Sequence, residues 1–245
     1  MNNENMESIQ LPGAGNFQFS RIRPDLLEET EYTLVTLVTD ITGSVHDFAD
    51  ELLKMKKEII KSCNKHPRKE NLLIRDVLFN SDIGVQEVHG FKPLSMIDPD
   101  NDYTTLNCDG MTNLFDATYT SIEATLLESK NLIDQDYGCN GAIFIITDGG
   151  DNHSLNTESQ IKNLLKDSLK SENIEGLISI LIGVNSNDCK DYLENFKNKS
   201  ELTQYIDIGD VTPTKLAKLA KFISESISSQ SQALGTGANS QPLTF

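Results

Sequence analysis

Two aspartates and three hydroxyl residues carry the chemistry most open to reading in this 245-residue chain. They fall in three short clusters: Asp40-Ile41-Thr42-Gly43-Ser44, Gly110-Met111-Thr112-Asn113-Leu114 and Ile146-Thr147-Asp148-Gly149. Carboxylates and hydroxyls are hard oxygen donors, the ligands that Mg²⁺ and similar cations take, often with water filling the remaining positions. The clusters lack the Cys and His that zinc sites favour. Two aspartates roughly neutralise a divalent ion and leave it electrophilic, so an outside carboxylate could occupy an open position. A plainer role is open to the same residues: an Asp after a strand, or Thr112 ahead of Leu114, can simply cap a helix.

The elements around the clusters decide whether they can meet. Tyr32 to Thr39 is a β-branched run that delivers Asp40, and Ala142 to Ile146 is a continuous apolar run that delivers Asp148. Such runs read as strands buried on both faces of a parallel sheet. Between them, Val45 to Cys63 is helical, with Phe48, Leu52, Met55 and Ile59 on one stripe. Residues 71–91 read as a β-hairpin turning at Asn80–Gly84. A loop covers 93–109, and Leu114 to Ile133 is a helix. Thr157 to Leu169 is a helix with Thr157 and Gln160 set for a capping box. A strand at Leu177–Val184, a short helix at Asp188–Lys197 and a strand at Gln204–Ile208 follow. Thr212-Pro213 opens the last helix.

Strands alternating with helices predict a doubly wound α/β domain over 21–228, with a six-stranded, mostly parallel sheet and one antiparallel edge strand. In that architecture the loops at the strands' carboxyl ends converge on one crevice, which would gather the three clusters. Residues 1–20 and 229–245, rich in Asn, Gln, Ser and Gly, read as a flexible arm and a disordered tail. The triplet Gly13-Ala14-Gly15 precedes any strand and is no dinucleotide fingerprint.

Composition narrows the function classes. A formal charge of −16 speaks against nucleic acid and anionic membrane as partners. Four separated cysteines, Cys63, Cys108, Cys139 and Cys189, show no metal or disulfide spacing and suit a reducing, cytoplasmic setting. There is no signal-peptide pattern and no apolar run of membrane-spanning length.

Taken in order, the three clusters resemble the metal-ion-dependent adhesion site (MIDAS) of von Willebrand factor type A domains, of the intracellular microbial type, over about residues 32–228. Thr42 stands where that motif often has Ser and keeps the hydroxyl. The resemblance implies a Rossmann-like fold in which Thr42, Ser44 and Thr112 offer hydroxyls to Mg²⁺ (or Mn²⁺). Asp40 and Asp148 would contact the ion directly or through water. It further implies a non-enzymatic module that binds an Asp or Glu of a partner protein within a larger assembly, for example beside an AAA+ ATPase or in a stress-response system. Two alternatives stay open: a metal-dependent phosphotransferase or hydrolase with His46 or His153 as base, and a purely structural assembly subunit. No Ser-His-Asp order, P-loop or paired-carboxylate pattern is visible.

Overall fold

A computed structural model describes residues 5–12, 17–170 and 173–245. The central strand is β3 (Glu31–Asp40), and every residue from Tyr32 to Asp40 is buried. It pairs in parallel with β4 (Leu72–Asn80) on one side and β6 (Gly138–Thr147) on the other. β7 (Leu177–Gly183) and β8 (Gln204–Asp207) extend the parallel sheet, whereas β5 (Gly84–Pro93) runs antiparallel to β4. Five parallel strands therefore end at one edge of the sheet.

Helices cover both faces because alternate residues of each strand point to opposite sides. On one face, Val35, Leu37, Ile74, Phe144 and Ile180 pack with Leu52, Met55 and Ile59 of α1 (Ala49–Cys63) and Leu219 and Ile223 of the C-terminal helix (Pro213–Thr236). On the other, Val38, Val77, Ile143, Ile145 and Leu181 pack with three helices. These are Leu114–Ile133, which places Ile122 there, Glu158–Lys170, which places Ile161 and Leu165, and Lys190–Ser200, which places Leu193 and Phe196. With the one-turn Pro99–Asp102, the helices in chain order are α1 to α6. The capping box forms as its spacing predicts, with Thr157 N and Oγ1 donating to Gln160 Oε1 at 2.9 Å.

The sheet has eight strands, not six, in the order β1-β2-β5-β4-β3-β6-β7-β8. The additional pair comes from the expected flexible arm. Met6–Gln10 (β1) and Gln18–Ile22 (β2) form an antiparallel hairpin that lies beside β5. Consequently β5 is antiparallel to its neighbour but is not the sheet's edge. The polar composition of the arm hid its apolar anchors: Phe19 and Ile22 are buried, and Phe19 meets Phe91 edge-on at 5.9 Å. Glu87 accepts from Ser20 N and Oγ at 2.9 and 2.8 Å, and Gly90 permits the contact, since a Cβ there would lie 1.8 Å from Ser20 O. The hairpin moves the sheet's edge from the ten-residue β5 to the five-residue β1, and a short edge strand offers other chains less ladder to pair with. Residues 1–4 and 13–16, including the Gly13-Ala14-Gly15 triplet, lie outside the described residues.

The expected tail is likewise ordered. Helix α6 continues to Thr236 and stops at Gly237, whose φ of 68° closes the helix in the left-handed conformation. Serines and a glutamine that look like linker composition are instead buried. Gln230 O accepts from Asn140 Nδ2 at 2.8 Å, Gln230 Nε2 donates to Gln241 O at 2.8 Å, and Ser231 Oγ accepts from Arg68 Nε at 3.0 Å. Phe245 packs edge-on against Phe222 at 5.4 Å. Among the described residues no helix is long and apolar enough to cross a membrane.

Candidate metal centre

Asp40 is the last residue of β3 and is 1% exposed. The chain then turns through Thr42 into a short 3₁₀ helix, Gly43–Phe48. Asp40 itself organises this turn: its Oδ1 accepts from Thr42 N at 2.8 Å, an Asx-type turn. Its Oδ2 accepts from Thr147 Oγ1 at 2.6 Å, so the ends of β3 and β6 are tied through the carboxylate. One residue on, Asp148 Oδ1 accepts from Ser44 Oγ at 2.9 Å, and Ser44 Oγ lies 3.1 Å from Thr42 Oγ1. Asp40, Thr42, Ser44 and Asp148 therefore form one connected set of oxygens at the carboxyl end of the two central strands.

Thr112 reaches this edge from the loop before α3. Gly110, with φ of 74°, makes the turn, and its O accepts from Gly43 N at 3.3 Å. Asp109 N donates to Ile41 O at 3.0 Å, and Asn80 Nδ2 donates to Asp109 O at 2.7 Å. From the other side, Thr112 N donates to Asn152 Oδ1 at 2.8 Å, while Thr112 O accepts from Asn152 N and His153 N at 2.9 and 3.1 Å. Backbone bonds thus hold the Thr112 loop against both the Asp40 turn and the segment after Asp148. Thr112 is 6% exposed. It is joined to the set through these loops, not through a side-chain hydrogen bond to Asp40 or Asp148.

The electrostatics call for a cation. Burial raises Asp40 from its ordinary value to about 6, opposed by the hydrogen bonds from Thr147 and Thr42 and reinforced by the nearby charge of Asp148. Burial also raises Asp148, with Ser44 opposing. Cys108 is pushed up to about 11, first by burial and then by both aspartates, so it feels the same negative field and stays a thiol. No Lys or Arg contributes to either aspartate among these causes. A divalent ion would supply the missing positive charge, and carboxylates with hydroxyls are the donors it prefers. Among the described residues no three His, Cys, Asp or Glu side chains gather as a metal cluster, so any cation here depends on the hydroxyls.

Reading from residue types missed the supporting residues. Thr147 anchors Asp40, and Asn152 pins Thr112. Asp151 Oδ1 accepts from Phe115 N at 3.1 Å, and Asp116 takes backbone donors from Leu155 and Asn156. These aspartates offered a signal, but only the fold reveals that Asp151 caps the start of α3 and that Asp116, from the first turn of α3, holds the 155–156 loop. The two histidines at the rim do not join the set. His46 is exposed and lies 3.5 Å from Asp47, and exposed His153 contributes its backbone N–H.

No protein-family model and no curated protein matches the chain. Solved structures do. A D319A mutant of the PilB minor pilin from Streptococcus sanguinis superposes with a TM-score of 0.60 at 14% identity, over 91% of this chain and 67% of that one. Proximal thread matrix protein 1 from the mussel byssus, in a form with a zinc-occupied MIDAS motif, gives 0.54 at 16% identity, over 83% and 47%. The pilus adhesin SpaC from Lactobacillus rhamnosus GG gives 0.57 at 10%, over 86% and 32%. The chain thus spans about two thirds of the pilin, just under half of the byssus protein and just under a third of the adhesin. At these identities the likeness shows the fold alone, a mostly parallel α/β sheet with helices on both faces, consistent with the type A fold that the three clusters resemble.

Proposed function

We propose that the chain is a metal-dependent protein-interaction module. Asp40, Thr42, Ser44, Thr112 and Asp148 would hold Mg²⁺ (or Mn²⁺), and an Asp or Glu of a partner protein would complete the coordination. The carrying observation is the unbroken link Thr42–Ser44–Asp148 beside buried, Thr147-anchored Asp40. When bound, the ion supplies a Lewis-acidic point for a carboxylate, and the chain's own residues orient the donors and keep Asp40 from water. The all-oxygen set favours Mg²⁺ or Mn²⁺. Zinc in the MIDAS of the byssus protein supports a divalent cation generally.

Assembly is favoured over catalysis by the placement of His46 and His153, since the imidazole of His46 lies against Asp47 and His153 reaches Thr112 only through its backbone N–H. It is also what the words pilin, pilus adhesin and thread matrix denote for the similar structures. The four free cysteines support a cytoplasmic setting, where an AAA+ ATPase or a stress-response component is a candidate partner. The test is capture of partners from native extract with Mg²⁺ and with EDTA, alongside Asp40→Ala and Thr112→Ala. A partner held only by the unsubstituted chain in Mg²⁺ supports the proposal. A partner retained equally in all four conditions refutes it.

A further inference from the structure

Four of the five large apolar side chains that stand exposed among the described residues belong to the loops and helix start that follow the sheet's carboxyl edge: Leu155 at 92%, Met111 at 48% and Ile83 at 43% in loops, and Tyr192 at 39% in the first turn of α5. Met111 N donates to Ser81 Oγ and Ser81 N to Met111 O, both at 2.8 Å, which sets Met111 beside the turn that carries Ile83. Tyr192 packs over Gly150, where a Cβ would meet its ring at 2.8 Å.

Leu155 is the most telling of the four, because its loop is built rather than loose. Its N–H donates to both carboxylate oxygens of Asp116 at 3.1 Å, and Asn156 donates to Asp116 through N and Nδ2 at 2.8 and 2.7 Å. Ser154 Oγ in turn accepts from Asp116 N at 3.0 Å. A helix terminus thus fixes the backbone of a leucine whose side chain stands in water, so the loop's ordering cost is met before any contact is made. Exposed apolar side chains clustered around a polar centre mark an interaction surface.

The charge around this rim selects the partner further. Asp47, Asp82 and Asp109 are exposed near the crevice, and Asp82 Oδ1 would sit 2.9 Å from a Cβ at Gly110. They repel every acid except the one that meets a cation, and they attract bases. We infer that the partner is a protein segment presenting a single Asp or Glu between aliphatic side chains, with Lys or Arg beyond them. The aliphatic neighbours seat against Leu155 and Met111, and the bases face the rim aspartates. This inference rests on the proposed function and adds the chemistry of the segment recognised.

The full chain, immobilised in Mg²⁺, tests it by panning a display library of random peptides with elution by EDTA. The expected clones carry one acid flanked by Leu, Ile, Val or Met, with Lys or Arg further out. Peptides made from them should bind Leu155→Ser about tenfold or more weakly, while that variant keeps the Mn²⁺ titration of the unsubstituted chain. EDTA-released clones that share an acid but have unbiased flanks, or equal binding to Leu155→Ser, would overturn the inference and leave the proposed function standing. Absence of any acid-bearing, EDTA-released clone would remove both.

Discussion

Glu128 on α3 should make the protein less stable as pH rises, and Glu128→Gln should remove that loss. The Glu128 side chain is 1% exposed and accepts from Arg21 Nη1 at 3.1 Å. Arg21 divides its charge, since its Nε also donates to Glu7 at 2.7 Å. Burial therefore outweighs the arginine, and Glu128 is raised from 4.5 to about 7. A carboxyl whose folded value lies above its unfolded one holds its proton better in the fold, so stability falls as pH climbs from the unfolded value through the folded one. Two to three pKa steps at 1.36 kcal/mol each give a total of ~3 kcal/mol, of which ~2 kcal/mol is lost between pH 5 and pH 8. The glutamine keeps an oxygen for Arg21 and cannot ionise. Thermal melts of both proteins across pH 5 to 8 should thus show the difference shifting in the variant's favour by about 4–8 °C. Other titrating groups cancel in that difference. A pH-independent gap between the two melting curves would refute the reasoning, and so would a variant that loses ground as pH rises.

Elsewhere, Lys56 Nζ meets Asp76 Oδ1 at 2.7 Å with side chains 1% and 0% exposed. Lys56→Met alone should cost about 3–5 kcal/mol in urea unfolding by stranding the aspartate, while Lys56→Met with Asp76→Leu should recover most of it. Gly90→Ala would place its Cβ 1.8 Å from Ser20 O, so the β1–β2 hairpin should detach. Limited proteolysis should then cut within residues 11–23 much faster than in the unsubstituted chain, with Mn²⁺ binding unchanged. Asp116→Ala removes the acceptors that hold Leu155 and Asn156. Hydrogen exchange should rise at the 154–157 amides by tenfold or more, without a comparable change in β3 or β6.

The central strands and their crevice were legible because their signals are local. Each β-branched or apolar run ends in Asp, and parallel pairing then brings Asp40 and Asp148 to the same edge. Thr42 and Ser44 follow from the turn that Asp40 itself shapes. The hairpin before residue 23 and the helix beyond 228 were not legible, since their stability comes from distant partners. Ser20 depends on Glu87 and a glycine 70 positions on, and Gln230 depends on Asn140. Polar composition there suggests disorder only while those partners are out of view. The same holds for Asp116 and Asp151: they look like loose surface charge until the fold places them against the backbone donors they satisfy.

The central claim is that the oxygens of Asp40, Thr42, Ser44, Thr112 and Asp148 make one divalent-cation site. Titration of the full chain with Mn²⁺, followed by the electron paramagnetic resonance of the free ion, tests it most directly beside Asp148→Ala and Ser44→Ala. The unsubstituted chain should show one saturable Mn²⁺ site displaced by Mg²⁺, weakened at least tenfold in Ser44→Ala and lost in Asp148→Ala, with both variants folded by circular dichroism. Equal Mn²⁺ binding by all three proteins, or none by the unsubstituted chain, would contradict it.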